Sequence, residues 1–524
     1  MARTSTAAKD VWIACDRWPD AKDLRRWAKD AFRIEKARTP QQRAIALWKW
    51  LHICQARSAP AWREGGRGQE AVISDTLKYL NVYVGHYCDG LGRLMANAWT
   101  ASGAGRGRKT VIKRLGHTVA ELRYRDADGR TRWHAFDPQN GWYVFARDGR
   151  HVASIAEVDA DPDLLLHPAD PPRPYFFAAS SRDAYVDREA TTRYAVEGDA
   201  PMPTHRMRLD LRPGQTWRRL WKPGAAYWPY SFGPEPKPIA PAWTDADVLG
   251  GGIADTFLGE YVTPYLYRQP AEARGGGGGS GLCRMHGSVE LTWDVPLAGG
   301  AFGEGAARVL SVAGEARASR RAALVHPART GKLSMLVYEV ATPYIITDSV
   351  VEAVGRSGPD PQDMLALHAS VDGGLSWQLV WGRIFASKRP NPRPRRIRTA
   401  FGQEAYHEGR FSAVGKYGYL LRIDMLARRD PADVGLDSLT IRTSCQCNMM
   451  SLPALLPGLN RIRVTTASAP AAGKLRVEYH WTEKPRGLRK AVKLLPARGG
   501  TFTLRAGGTA PSDIRMREVS VALV

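Results

Sequence analysis

Apolar and polar residues alternate along two neighbouring segments in the first third of the chain, as they do in half-buried β-strands. The first segment is HTVAELRYR at 117–125, and the second is RTRWHAFDP at 130–138. Between them, DADG at 126–129 is a strong turn signal. The pattern predicts a β-hairpin, and counting outward from the turn sets His117 opposite Asp137 to within about one residue. A cross-strand pair on one face would lie about 5 Å apart.

Helical spacing precedes this hairpin. Apolar residues recur three or four positions apart in 91–98, which predicts a helix that begins near Cys88. A capping signal with proline at 39–42 and an apolar stripe through Trp48 predict another helix of about four turns. Apolar positions in 77–84 indicate a shorter helix that brings the chain to Cys88.

Three residues of this region have the chemistry of a cysteine-nucleophile enzyme. At a helix start, unpaired amides and the helix dipole lower the pKa of a thiol such as Cys88 from about 8.5 towards neutrality. Asp137 would hold the imidazole of His117 in one tautomer, and the other ring nitrogen would take the thiol proton. The backbone amide of Cys88 would serve as an oxyanion donor.

These segments resemble the core of the transglutaminase-like (papain-like cysteine) superfamily. That family has a cysteine at a helix start, a Gly-His that opens a strand, and an Asp-Pro that ends the next strand. The matching residues, over roughly 35–150, are Cys88, Gly116-His117 and Asp137-Pro138, with Glu121 and Trp133 at further family positions. The resemblance implies a thiolate–imidazolium pair, an acyl-enzyme intermediate and peptide or carboxamide substrates, with neither a cofactor nor a metal. Thr118-Val119 after the histidine departs from the aromatic residue of many members.

Beyond about residue 150 the helical pattern ends, and short strands follow one another with turn signals between them. These predicted strands lie at 289–293, 333–340, 365–371, 378–381, 417–423 and 439–443, with more from 455 onward. Such a density of strands is typical of β-sandwiches. The predicted fold class is an α+β N-terminal transglutaminase-like domain followed by all-β (β-sandwich) domains.

Composition shifts suggest four domains. A transglutaminase-like domain at 1–165 precedes a loop-rich β connecting domain at 166–280, which ends in the Gly-rich linker GGGGGSG at 275–281. A β-sandwich at 281–447 and a small C-terminal β-sandwich at 448–524 complete the chain.

Two motifs in the later domains have alternative interpretations. The aromatic cluster of Trp217, Trp221 and Trp228 would either bind sugar rings or extended peptide, or anchor a loop-rich domain. The segment SVDGGLSW at 370–377 resembles an Asp-box, whose aspartate braces a hairpin turn above a packed tryptophan. A single copy gives no support for a propeller of repeated blades.

Charge adds a class of partner. The net charge of +23 and the pI of about 9.9 favour an anionic polymer as partner. The densest basic stretch, 387–398, contains no aromatic residue, and no nucleic-acid-binding motif is visible, so specific nucleic-acid binding is not expected.

The six cysteines are too scattered for a disulfide scaffold. Cys445 and Cys447, two residues apart, would be a same-face strand pair, with metal binding or redox chemistry as the alternative.

No apolar run reaches about 18 residues, so a membrane span is not expected. The N-terminus lacks a stretch long enough for a secretory signal, which favours the cytoplasm. The Asp-box and the β-sandwiches look more like exported proteins, and a trimmed signal would leave the same sequence, so the location stays open.

Two functions remain. The first is a cysteine hydrolase or acyltransferase that acts on a peptide or glycan-linked amide through Cys88, His117 and Asp137. The second is an inactive binding or assembly protein that uses its β-domains and basic surface to hold an acidic glycan or protein.

Overall fold

The computed structural model describes residues 6–54, 56–57, 75–83, 85–86, 88–112, 117–138, 142–166, 194–198, 202–222, 286–319, 322–382 and 393–524. Within these residues the chain is mostly β, and most of its helical residues precede 167. Gly116, Trp228, Cys283 and the predicted linker at 275–281 lie outside the described residues.

Seven α-helices are described. They are α1 (Leu24–Ile34), α2 (Pro40–Cys54), α3 (Thr76–Asn81), α4 (Cys88–Ser102), α5 (Ile155–Ala160), α6 (Asp163–Leu166) and α7 (Gln403–His407). Short 3-10 turns cover Ala298–Gly303, Pro431–Asp433, Met449–Ser451 and Pro511–Asp513.

Twenty-four strands are described. They are β1 (Trp12–Cys15), β2 (Ala56–Arg57), β3 (Gly85–His86), β4 (Gly107–Ile112), β5 (His117–Arg125), β6 (Thr131–Phe136), β7 (Tyr194–Gly198), β8 (Gln215–Leu220), β9 (His286–Asp294), β10 (Ala306–Leu310), β11 (Val312–Gly314), β12 (Val325–Pro327), β13 (Ser334–Ala341), β14 (Ile345–Ser357), β15 (Met364–Ser370), β16 (Gln378–Gly382), β17 (Arg395–Ala400), β18 (Gly418–Leu426), β19 (Val434–Asn448), β20 (Gly458–Thr465), β21 (Lys474–Glu483), β22 (Gly487–Pro496), β23 (Gly499–Ala506) and β24 (Ile514–Leu523).

Side chains that cap helix ends set where the N-terminal helices begin. Gln42 accepts from the backbone N–H of Thr39 at 3.1 Å, and the Thr39 hydroxyl accepts from the N–H of Gln42 at 3.2 Å. This reciprocal pair is a capping box, and the 15 residues of α2 make the four turns that its pattern predicts. Asp23 and Asp75 cap α1 and α3 by accepting from backbone N–H groups of the first turn.

Helix α4 packs on a four-stranded antiparallel sheet in the order β6-β5-β4-β7. Two glycines allow the close approach. A Cβ built on Gly107 would lie 2.4 Å from the backbone oxygen of Ala96, and one on Gly92 would lie 3.4 Å from Thr118 Cγ2. The other face of the sheet covers a separate apolar core that includes Val119, Trp142 and Ile155. The sheet therefore lies between two cores.

The predicted hairpin is present as β5 and β6, but its register differs from the count. Ala120 pairs with Phe136, so Asp137 falls level with Val119, two residues from His117 rather than within one. The reason is the turn, where Gly129 has φ +83° and Asp126 pairs with Arg130 across a three-residue loop. Residues 117 and 119 share a face, so His117 and Asp137 are diagonal neighbours.

The β part is built from two large sheets packed face to face. A five-stranded sheet has the order β10-β13-β18-β15-β16. A ten-stranded sheet runs β11-β12-β19-β9-β8-β24-β21-β22, with β14 joined to β19 and β17 joined to β14. The Tyr419 hydroxyl of the first sheet lies 2.8 Å from Ser349 Oγ and 2.9 Å from Thr443 Oγ1 of the second. The predicted all-β character of this part is confirmed.

The ten-stranded sheet crosses the predicted domain boundaries. Strand β8 lies before 280, β9 and β19 lie between 281 and 448, and β24 lies near the C-terminus, yet they are hydrogen-bonded neighbours. Strand β1 also pairs with β20, in a three-stranded sheet with β23. The boundaries at 165/166, 280/281 and 447/448 therefore do not separate sets of strands.

The Asp-box segment forms the turn between β15 and β16, in the structural role that its resemblance implies. Asp372 accepts from the backbone N–H of Ser376 at 3.0 Å and from Ser370 Oγ at 2.7 Å. The Arg422 guanidinium lies over the Trp377 ring, 4.6 Å from the ring centroid. Hydrogen bonds around one carboxylate thus hold the turn.

Across the described residues, no helix is long and apolar enough to cross a membrane.

Candidate active site

Cys88 is the first residue of α4, as the sequence predicts, and its side chain is half-buried. The first amides of a helix have no acceptor inside the helix, and they present partial positive charge to the thiol. The residue as a whole is partly exposed to solvent. The position therefore combines an anion-stabilising environment with partial exposure.

His117 and Asp137 form a tight buried pair. His117 Nε2 lies 2.7 Å from Asp137 Oδ2. The histidine is 9% exposed and the aspartate is fully buried, so water does not compete for this bond. Because Nε2 faces the carboxylate, Nδ1 is the ring nitrogen left for the thiol.

The thiol completes the constellation through a side-chain hydrogen bond with His117. Burial raises the pKa of Cys88, but the hydrogen bond and charge of His117 and the backbone N–H of Thr118 outweigh it, so the net pKa is lowered. Burial alone lowers the pKa of His117, whereas the charge and hydrogen bond of Asp137 and the contact with Cys88 raise it to about 10. Both shifts are in the directions that favour a thiolate–imidazolium pair.

The other four described cysteines have raised rather than lowered pKa values. Cys15, Cys54, Cys445 and Cys447 are buried and free, and burial raises the pKa of each. Cys445 and Cys447 lie in β19 with their sulfurs in the core, where the thiols behave as small apolar groups. Among the described cysteines, Cys88 alone has a lowered pKa.

Asp137 is held by a residue whose polar role the sequence pattern does not reveal. The indole Nε1 of Trp48 in α2 donates to the backbone oxygen of Asp137 at 3.3 Å, and the ring packs edge-on against Tyr143. The backbone of Asp137 also pairs with Trp142 in both directions. The sequence pattern predicts Trp48 as part of an apolar stripe. A buried indole N–H that needs an acceptor is the signal that points to its second role.

A second unpredicted group lies beside the nucleophile. Asp89 follows Cys88 in α4 and accepts from Lys109 Nζ and from Arg93 Nη2, the latter at 3.2 Å. Burial raises the pKa of Asp89, but these two cations outweigh it and lower the pKa. The three side chains tie the start of α4 to β4 and together carry a net charge of +1.

Glu121 and Trp133, which fit family positions, have structural contacts. The Glu121 carboxylate is 1% exposed and accepts from Arg108, Thr110 and the backbone N–H of Ile155. Arg108 also covers the Trp133 ring at 3.9 Å. They brace the sheet that carries His117.

Of the predicted aromatic platform, the two described members do not present their rings at the surface. Trp217 in β8 and Trp221 just after it are 1% and 3% exposed and pack in the main core. A buried ring presents no face to a sugar or a peptide, so of the two interpretations the anchoring one fits these residues. Trp228 lies outside the described residues.

Within the described residues, no group of three or more histidine, cysteine or acidic side chains is arranged to hold a metal ion.

Comparison with known proteins leaves the chain without a family. No family model matches it, and no curated protein is similar to it. Among the solved structures that match, a xanthan lyase from Paenibacillus is similar over 42% of this chain at 12% identity, with a TM-score of 0.14. The match spans 26%, about a quarter, of the lyase chain. A likeness at this TM-score carries no argument about fold or activity.

Proposed function

We propose that the protein is a transglutaminase-like cysteine hydrolase or acyltransferase that acts on peptide or carboxamide bonds. The observation that carries the proposal is the convergence of three residues from separate elements. Cys88 at the start of α4 bonds to His117 at the start of β5, which bonds to the buried Asp137 after β6 at 2.7 Å. A nucleophile, a base and an orienting group in contact are the requirement for covalent acyl transfer.

The surrounding architecture supports the transglutaminase-like assignment of the N-terminal region. A helix that begins with the nucleophile packs across antiparallel strands that carry the histidine and lead to the aspartate. That arrangement matches the order of elements in the resemblance.

In the first half-reaction, the Cys88 thiolate attacks the carbonyl carbon of an amide and a C–S bond forms. The proton on His117 Nδ1 passes to the leaving nitrogen, the C–N bond breaks, and an amine or ammonia departs. Asp137 keeps the imidazole oriented through Nε2 and stabilises its charged form. The product is a thioester on Cys88.

In the second half-reaction, water attacks the thioester while neutral His117 accepts its proton. The C–S bond breaks, the carboxylic acid leaves, and the thiolate–imidazolium pair is restored. We propose water rather than an amine as acceptor, because amine transfer also requires a channel that excludes water.

The backbone N–H of Cys88 supplies one oxyanion donor. It is the first amide of α4 and has no acceptor inside the helix. A tetrahedral intermediate on the sulfur places its oxygen near that amide, where the helix dipole also favours negative charge.

The test is the pH dependence of Cys88 alkylation by iodoacetamide, read by peptide mass spectrometry in the full chain and in His117→Ala. We expect a midpoint below about 8.5 in the wild type and a rise to that value or above in the variant. The four buried cysteines are internal controls, because their alkylation should be slow in both proteins.

Turnover is tested with a mixture of short peptides that contain side-chain and terminal carboxamides. Wild-type protein should release amine or ammonia and form a hydroxylamine-sensitive thioester at Cys88, whereas Cys88→Ala should do neither. Slow alkylation that is independent of His117, with a midpoint near that of a free thiol, would sink the proposal in favour of an inactive binding protein.

A further inference from the structure

A basic cleft of about 540 Å³ lies at the end of α4 opposite to Cys88. We call it the α1/α4 cleft, and its five cations are Lys29, Arg33, Lys36, Arg38 and Arg43. The 15 residues of α4 separate it from the thiol by about 20 Å. Any ligand of the cleft is therefore separate from the reacting group.

The cleft holds an excess of positive charge. None of its lining residues is acidic. The two nearest carboxylates in sequence are already paired, Asp30 with Arg33 at 3.1 Å and Glu35 with Lys49 at 2.6 Å. Within the described part of the chain, the other four cations of the cleft have no ion-pair partner.

Helix dipoles account for only part of this charge. Helices α1 and α4 both end at the cleft, and their last carbonyls favour nearby cations such as Arg33. Arg43, however, lies in the first turn of α2, where the dipole disfavours positive charge. Lys36 and Arg38 follow the end of α1 in a connecting turn. Crowding these cations around one space costs free energy unless an anion occupies it.

The floor of the cleft is left open by small residues. Ser102, Gly103 and Ala104 line it there, beside the buried side chain of Phe32. A Cβ built on Gly103 would meet no heavy atom within 4 Å. Space is available for a ligand without displacement of the described chain.

We propose that the α1/α4 cleft binds a small molecule or chain end that carries several phosphate or carboxylate groups. Arg38 and Arg43 offer guanidinium forks that pair with either oxyanion in bidentate geometry, and Lys29 and Lys36 add ammonium donors. The volume falls in the usual range of small-molecule sites, about 300–1,000 Å³. A compact cleft without an exposed aromatic platform does not fit a nucleic-acid strand, which needs an extended basic groove.

The experiment is isothermal titration calorimetry of the full chain in a chloride buffer of low ionic strength. The probes are tripolyphosphate and citrate. The double variant Arg38→Gln/Arg43→Gln should bind at least about tenfold more weakly, because two forks are lost and helix propensity is kept. Binding of tripolyphosphate alone assigns the cleft to phosphates, and binding of citrate alone assigns it to carboxylates. Binding of both probes assigns it to both groups.

A matched control removes two exposed cations elsewhere. Arg396→Gln/Lys493→Gln has the same change in net charge, and these residues lie on β17 and β22. It should retain affinity within about twofold. Equal weakening in the two double variants, or no heat with either probe, would overturn the proposal. So would binding of long polyglutamate alone, since that points to diffuse surface charge.

Discussion

The side-chain amide of Asn448 donates to the backbone oxygen of Leu80 at 3.0 Å, across 368 residues of sequence. The same nitrogen donates to the oxygen of Cys54 at 2.8 Å, and the Asn448 oxygen accepts from the N–H of Met450. Cys54 ends α2, and Leu80 lies in the last turn of α3, so one fully buried side chain satisfies carbonyls at two helix ends. The β part thereby holds the helices that lead to Cys88.

Replacement of Asn448 should lower the reactivity of Cys88 as well as the stability of the fold. Asn448→Ala leaves two buried carbonyls and one N–H without partners, and should lower the free energy of unfolding by about 3 kcal/mol. It should also slow Cys88 alkylation at neutral pH. Denaturant unfolding and the alkylation rate measure the two effects.

Asn460 offers the matched control. It is also fully buried, and its amide donates at 2.7 Å to the oxygen of Leu456, which lies outside the helices. Asn460→Ala should cost similar stability without changing the rate at Cys88. Equal slowing in both variants would show that Asn448 acts on global stability alone.

Removal of the Asp137 charge should destabilise the protonated imidazole of His117. Asp137→Asn removes the group that raises the pKa of His117, so less thiolate forms at neutral pH. Acyl-transfer turnover should fall by about 10⁴-fold. Cys88 alkylation at neutral pH should also slow. The control is Asp128→Asn on the turn of the same hairpin, an exposed carboxylate paired with Arg132, which should leave both rates unchanged.

Trp48 should help to position Asp137 through the hydrogen bond of its indole nitrogen. Trp48→Phe keeps ring packing against Tyr143 but removes the hydrogen bond to the Asp137 oxygen, at a cost of about 1 kcal/mol. We expect slower Cys88 alkylation with little loss of thermal stability. Trp50→Phe in the same helix removes a bond to Glu35 instead and should not alter the rate.

The two glycines between α4 and the sheet should respond differently to alanine. In Gly107→Ala the new methyl would lie 2.4 Å from the backbone oxygen of Ala96, so β4 and α4 must move apart. The free energy of unfolding should fall by about 3 kcal/mol or more. In Gly92→Ala the nearest atoms lie at 3.4 Å, and the gain of about 1 kcal/mol in helix propensity offsets the tighter contact. Thermal unfolding of both variants tests the order, and a reversed order would contradict the packing.

Stability should depend on pH through His117. Its pKa is raised to about 10 in the folded protein, so its contribution is full below the unfolded value of about 6.5 and is lost as pH rises towards 10. Cys88 titrates with the opposite sign, so the comparison belongs in a Cys88→Ser background. In that background, the protein with His117 and the His117→Gln variant should differ less in unfolding free energy at pH 10 than at pH 6.

Local patterns were enough to place the elements that carry the candidate site. Helical spacing and the capping residues at 39–42 predicted α2, the spacing in 91–98 placed Cys88 at the start of α4, and alternation around a turn predicted β5 and β6. These signals act over a few residues, because capping, periodicity and turn chemistry depend on neighbours in the chain. They could not set the register, since that depended on one residue, Gly129, in a left-handed conformation.

By itself, therefore, the sequence determined which residues have suitable chemistry and which kind of element each occupies. Tertiary structure decided that Cys88 contacts His117, because α4 approaches β5 through the space left at Gly92. It also decided that β8, β9, β19 and β24 share a sheet and that Trp217 lies in a core rather than on a surface. Such contacts join residues hundreds of positions apart, and the burial of apolar area that selects them is a property of the whole packed chain, without a local signal.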